Sequence, residues 1–349
     1  MRAFFFIAMC FLIAGCQKEV SLLGINVDET IFLRSNGNDM PVRIIGNTSS
    51  KVLILFVHGG PCYASWPVIV PSKSLTEHYS VAYWDQRGSG SSQGNDAGKY
   101  SLSMFVKDME DVITLLNSLF NASVDIYVWS HSWGGTISTV YLSSGMFPAN
   151  IKGWINMDGV TNPIAQGPLI REELLTRGPA MVESGNSNSL WNTWMQWCND
   201  HPAITTLEEF SSINSFAWEA QGTFPDVYKF SDYDATLVFK GQQSVMSHLT
   251  NNKSLHTYNI EFLEDIFLKT DLSLKYSNIT VPTLILWGKY DMVAPLKMAT
   301  TLLDSIGSTD KTLILLDHSD HTPISCERHE TCSMIQNFIE RIQSKDKKE

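Results

Sequence analysis

The chain has 349 residues, 44% of them hydrophobic, and a net charge of −11. That length and composition suit a globular chain with one core and an inserted lid. The acids are scattered and no basic cluster accompanies them, which excludes nucleic acid as a partner and excludes electrostatic docking on anionic lipid.

The chain opens with Met1-Arg2 and an apolar run, Ala3 to Gly15, too short for a comfortable membrane span. This is the pattern of a signal peptide. Its end, Leu12-Ile13-Ala14-Gly15-Cys16, resembles a bacterial lipobox, in which the cysteine is lipidated and becomes the mature N-terminus. The expectation is a protein of the bacterial cell envelope, facing outside the cytoplasm. A lipid on Cys16 would tether it, since buried acyl methylenes contribute about 0.8 kcal/mol each. Residues 1–15 are then the signal and 16–24 the tether.

Two alternating runs, Glu29 to Arg34 and Met40 to Ile45, flank Ser35-Asn36-Gly37-Asn38, and Asn-Gly between such runs predicts a hairpin. Val52 to Val57 is a continuous apolar run of the kind buried on both faces of a parallel sheet. Further strands are predicted at Ser80 to Trp84, Asp125 to Trp129, Ile151 to Met157, Thr283 to Trp287 and Thr312 to Leu316. Between them, Phe105, Met109, Val112, Leu116 and Leu119 recur at helical spacing, and Ile335, Phe338, Ile339 and Ile342 form a closing helix. This alternation gives an α/β fold, a mostly parallel sheet with helices on both faces. From about Thr161 to Lys275 it stops, in a tryptophan-rich stretch with helix-like segments. The expected organisation is a core over 25–160 and 276–343, a helical cap over 161–275, and a charged tail over 344–349.

Chemistry gathers at the carboxyl ends of the strands. Ser130-His131-Ser132-Trp133-Gly134-Gly135 follows one strand and precedes a helix, the pattern of a nucleophile elbow, with Ser132 the exposed hydroxyl. His58-Gly59-Gly60-Pro61 follows another, and the N–H groups of Gly60 and Trp133 are candidates for holding an oxyanion. Asp291 lies beyond the Thr283 strand and His321 beyond the Thr312 strand, giving the order Ser, Asp, His. Asp158, at the end of the Ile151 strand, rivals Asp291 as the acid, and His318 and His329 rival His321 as the base. His58 and His131 read as structural, His131 pointing away from the elbow, and Asp85 and Arg87 read as an ion pair fixing their loop.

With these residues in view, the sequence resembles the α/β-hydrolase superfamily, and within it the proline iminopeptidase-like, or serine aminopeptidase, branch. The resemblance rests on His58-Gly59-Gly60-Pro61, on Trp84-Asp85-Gln86-Arg87-Gly88-Ser89-Gly90, on Ser132-Trp133-Gly134-Gly135, and on Gly288 to Asp291 with Asp320-His321-Thr322-Pro323. Cys62 stands where the family's motif carries a further glycine, and Ser130 where the elbow usually has one. The resemblance implies an α/β-hydrolase fold with an inserted, mainly helical cap, and release of an N-terminal residue from a peptide or amino-acid amide, with no cofactor. It also implies a cap glutamate for the substrate ammonium; Glu172, Glu173, Glu183 and Glu219 are candidates, with Glu219 favoured. An esterase or amidase for small apolar compounds is the alternative, and a non-catalytic envelope binding protein a further one. With Cys10 removed and Cys16 lipidated, four cysteines allow three pairings, of which one joining Cys326 and Cys332 is favoured by nearness in sequence. Grouped as His318, His321, Cys326 and His329, the same region would suit zinc, although the spacing is irregular.

Overall fold

A computed structural model describes residues 26–94, 100–185, 187–229 and 258–347. The N-terminal segment with Cys16 lies outside the described residues. The hairpin expected around Asn36-Gly37 is present: β1 (Asn26–Ser35) pairs antiparallel with β2 (Asn38–Asn47), and Asn36 and Gly37 take φ of 47° and 80°. Positive φ at both central residues is the type I′ turn, whose twist matches that of the flanking strands and which asparagine and glycine tolerate best.

The apolar runs form β3 (Val52–Val57), β4 (Ser80–Trp84), β6 (Asp125–His131), β7 (Ile151–Met157), β8 (Thr283–Gly288) and β9 (Lys311–Leu316). With a two-residue β5 (Gln93–Gly94) beside β2, they make a nine-stranded sheet in the order β1-β2-β4-β3-β6-β7-β8-β9, parallel from β4 to β9. The reversal of strand order at β3 leaves a crevice beyond the carboxyl ends of the strands, where open α/β sheets bind ligands. All six residues of β3 and all six of β8 are buried, since helices cover both faces. One core packs α2 (Leu102–Leu119) and α3 (Trp133–Ser143) on the first face. On the other, α1 (Lys73–His78) packs with the closing helix Arg328–Asp346. That helix runs through residues expected to be tail, and Lys345 Nζ meets Asp310 Oδ2 at 2.6 Å.

Between β7 and β8 lie α4 (Pro163–Glu183), α5 (Asn188–Asp200) and α6 (Leu207–Gln221). They enclose a separate apolar cluster around Ile170, Trp191, Trp194 and Ile213, which makes them the helical cap. Among the described residues no helix is long and apolar enough to cross a membrane.

Two expectations are corrected. Asp85 and Arg87 do not pair. Asp85 Oδ1 accepts from Ser65 N at 2.8 Å and Ser65 Oγ at 2.7 Å, and Oδ2 from Ser91 N at 2.8 Å. The Arg87 guanidinium instead turns into the core and grips Asp108 of α2 through Nε and Nη2, with both side chains fully buried. The four cysteines among the described residues are also unpaired: Cys326 Sγ points to Asp320 Oδ1 at 3.4 Å and Cys332 Sγ to the Pro71 carbonyl at 3.7 Å. Nearness in sequence does not bring them together, because the chain turns between Cys326 and the helix that holds Cys332.

Breaking a buried ion pair strands the surviving charge, which costs about 3–5 kcal/mol. Asp108→Ala is therefore expected to lower unfolding stability by about that amount in a urea titration. A loss below about 1 kcal/mol would mean that Arg87 finds another partner.

Candidate active site

Ser132 sits between β6 and α3 at φ 51° and ψ −123°, a strained conformation that lifts a side chain out of a strand-to-helix turn. Close packing holds it there. A Cβ on Gly134 would overlap the Val57 carbonyl oxygen, and one on Gly135 would come within 2.8 Å of Gly159 Cα. Serine at 130 is accommodated because its hydroxyl is used: Trp154 Nε1 donates to Ser130 Oγ at 2.8 Å, and Ser130 Oγ donates to Asn156 Oδ1 at 3.3 Å. Cys62, at the other departure from the family motif, has φ 86°, a conformation in which glycine would be unstrained.

Asp291 and His321 meet. His321 Nδ1 donates to Asp291 Oδ2 at 2.8 Å, with both side chains buried. Asp291 Oδ1 accepts from the N–H groups of Val293 and Ala294 at 2.8 Å each, so the carboxylate cannot swing. Among the described residues His321 Nε2 has no hydrogen-bond partner. It borders the same cavity as Ser132, Gly60 and Trp133. No hydrogen bond joins it to Ser132 Oγ in this substrate-free state, and such contacts commonly tighten only when substrate binds. His318 is elsewhere, stacked on Tyr228 and bonded to the Asp226 carbonyl at 3.0 Å. His329 is an exposed neighbour of Arg328. Among the described residues no cluster of His, Cys, Asp and Glu is arranged to hold a metal.

The glycine turn is braced by His58, which bonds the loop backbone as its structural reading expected, and by Gln86, whose part the sequence reading missed. Gln86 N donates to His58 Nε2 at 3.1 Å, which leaves His58 Nδ1 to donate to the Gly59 carbonyl at 2.6 Å. Burial holds the His58 imidazole below its ordinary pKa, as a neutral ring with this single tautomer requires. The Gln86 side chain donates to the His58 carbonyl at 2.8 Å and accepts from Trp133 Nε1 at 3.0 Å, bridging the two sides of the expected oxyanion site. The signal was present in the Asp-Gln-Arg-Gly run, but nothing local says what a buried glutamine would reach.

His131 does not point away. It borders the cavity, lies 5.0 Å from the His321 ring between centroids, and donates from Nε2 to the His321 carbonyl at 2.8 Å. Burial first, and the nearby His321 second, push its pKa down to about 3, so it stays neutral.

The cavity has a volume of about 310 Å³ and lies between the strand ends and the cap. Its cap side is Phe210, Asn214 and Trp218 of α6, with Gln166 of α4, and Trp218 stands edge-on to His321 at 5.3 Å. Glu219 is not in it. One residue past Trp218 turns about 100° around a helix, so Glu219 faces solvent and accepts from Ser215 Oγ at 3.3 Å. Among the described residues, no Asp, Glu, Lys or Arg lines the cavity. Its cap-side polar groups are neutral: Gln166, fixed by Nε2 donating to the Val293 carbonyl at 3.0 Å with Oε1 unpartnered, and the half-buried Asn214.

A serine on a strained turn, an imidazole oriented by a carboxylate and N–H groups at a helix start can together support acyl transfer. The comparisons agree with that chemistry. The family described as serine aminopeptidase, S33, matches residues 48–328. A probable aminopeptidase of Bacillus subtilis is 22% identical over 294 residues, 83% of this chain and 89% of that protein. A proline iminopeptidase of Lactobacillus helveticus is 24% identical over 278 residues, 78% and 85% of the two chains. Among solved structures, a proline iminopeptidase from Mycobacterium smegmatis superposes with a TM-score of 0.63 at 14% identity, covering 90% of this chain and 98% of the other. An esterase from Exiguobacterium antarcticum gives 0.58 at 18%, covering 90% and 100%.

Gly59 backs directly onto the serine: an added Cβ would stand 2.9 Å from Ser132 Cβ and 3.2 Å from His131 Nδ1. Gly59→Ala is expected to reduce kcat/KM about a hundredfold by displacing the hydroxyl, with an unfolding midpoint close to wild type. Unchanged turnover on a chromogenic ester would show that Ser132 tolerates the shift.

Proposed function

The chain belongs to the serine aminopeptidase family and is a serine hydrolase of the α/β-hydrolase fold, and on that footing we propose that Ser132, His321 and Asp291 release an N-terminal residue from peptides or amino-acid amides. The observation that carries the catalytic part is the buried His321–Asp291 bond at 2.8 Å, with Nε2 left free beside the cavity that Ser132 borders. In this mechanism Nε2 takes the Ser132 proton and the alkoxide attacks the substrate carbonyl. The N–H groups of Gly60 and Trp133 hold the resulting oxyanion. His321 then returns the proton to the leaving amine, and water repeats the sequence on the acyl-enzyme. Asp291 keeps the ring in one tautomer and stabilises the imidazolium.

The peptide reading is supported by the family and by relatives similar over most of their length. A specific observation favours a second reading, an esterase or amidase for small apolar acyl groups. An ammonium is costly to bury without a carboxylate, and the described cavity wall has none, its cap side supplying only the amides of Gln166 and Asn214. Matched anilides of proline, alanine and leucine with free and acetylated amines, run beside short-chain esters, separate the two. At least a tenfold preference for the free amine supports the peptidase, and the reverse preference the esterase. Ser132→Ala and His321→Ala are each expected to lose several orders of magnitude, whereas His318→Ala keeps at least about a tenth of the rate. Near-normal turnover by Ser132→Ala would overturn the mechanism.

The envelope location belongs to the same proposal and rests on the sequence around Cys16. Metabolic labelling with a fatty acid is expected to mark wild-type protein and not Cys16→Ser. An unlabelled wild-type protein would remove the anchor and leave the hydrolase reading intact.

A further inference from the structure

The acid end of the site holds a second carboxyl that the mechanism above does not use. Asp158 ends β7 with φ 45° and is fully buried. Its N–H donates to the Leu286 carbonyl of the neighbouring strand at 3.0 Å, and its Oδ1 accepts from Gly288 N at 2.9 Å. These two bonds turn the side chain toward the loop that carries Asp291, whose own N–H donates to the Gly288 carbonyl at 3.1 Å, so that Gly288 joins the two aspartates and sets their carboxyls side by side. Asp158 Oδ2 is buried and receives no N–H or O–H donor.

Two adjoining buried carboxyls cannot both be ionised. The donor count decides which keeps its proton. Asp291 receives three hydrogen bonds, from Val293 N, Ala294 N and His321 Nδ1, all fitted to an anion, while Asp158 receives one. We propose that Asp158 is held as a neutral carboxylic acid whose Oδ2–H donates to the Asp291 carboxylate, making Asp158 a positioning residue for the Asp291–His321 pair. The orphaned Oδ2 is then explained, because its missing partner is an acceptor and the proton is its own. Its surroundings agree: burial first, then the charge of Asp291 and that of Asp320 beside His321, push the Asp158 carboxyl well above the usual carboxylate range. His321 is separated from it by Asp291, and the neutral His131 lies beyond.

The donated bond spreads the charge of Asp291 over a fourth partner, so that Asp291 stabilises a charged His321 ring less than it would alone. The kinetic consequence rests on the roles given to Asp291 and His321 above; the protonation state does not. Infrared difference spectroscopy of wild type against Asp158→Asn at neutral pH reads the proton directly. The expected result is a protonated-carboxyl C=O band that the substitution removes. Asparagine tolerates the positive φ and keeps both an acceptor for Gly288 N and a donor for Asp291. In the pH profile of kcat/KM, Asp158→Ala is expected to move the acid limb up by about one unit, the shift equivalent to ~1.4 kcal/mol. Asp158→Asn is expected to restore most of it. Absence of the band in wild type overturns the proposal whether or not the Ala variant folds. A hundredfold loss in Asp158→Asn also overturns it, since Asp158 would then be needed as an anion. An acid limb unmoved by Asp158→Ala would reduce the residue to a structural role.

Discussion

The approach of α3 to the end of β3, which leaves no room for a side chain at Gly134, is the constraint on which the rest of the site depends. Because the Val57 carbonyl occupies that space, the helix can start only where it does. Ser132 is then forced into its strained turn, and the loop after β3 must pass beside it. Ser132 and the glycine turn are thus a single packed object, and a sheet of buried parallel strands gives it a rigid base. Protein interiors are packed too densely for such a junction to relax by small amounts.

A second layer of polar contacts fixes that object without adding charge to the cavity. Asp85 gathers three donors, two from Ser65 and one from Ser91, and so ties its own loop to the one after β3, and Gln86 spans from His58 to Trp133. His58 is buried and His131 half-buried, and both are depressed in pKa, so that both rings stay neutral. In a setting of low dielectric, neutral braces of this kind hold geometry while leaving the N–H groups of the turn as the main positive ends near the serine.

The cap completes the cavity with aromatic surface and two amides. Trp218, placed edge-on to His321, ties the lid to the catalytic half of the molecule, and Phe210 stacks on Phe267 at 4.3 Å to close the wall. Such a chamber excludes water and strengthens hydrogen bonds made inside it. Its neutrality among the described residues also places the burden of substrate choice on shape and on uncharged polar contacts.

By itself the sequence determined the strands, their carboxyl-end loops and the order of Ser132, Asp291 and His321, because continuous apolar runs and glycine turns are local signals that do not depend on what packs against them. The hairpin at Asn36-Gly37 was legible for the same reason. Tertiary structure alone decided where the long polar side chains go. Arg87 reaches Asp108 of α2 rather than Asp85, Glu219 faces solvent where Trp218 faces the cavity, and Cys326 and Cys332 point to different neighbours. Asp158, which reads from the chain as a rival to Asp291, becomes its neighbour only once β7 and β8 are paired. In most of these cases the partner is distant in sequence or set by helical phase. Hydrogen bonds and ion pairs are directional and short in range, so the residue type announces that a partner is needed, and only the packed chain supplies it.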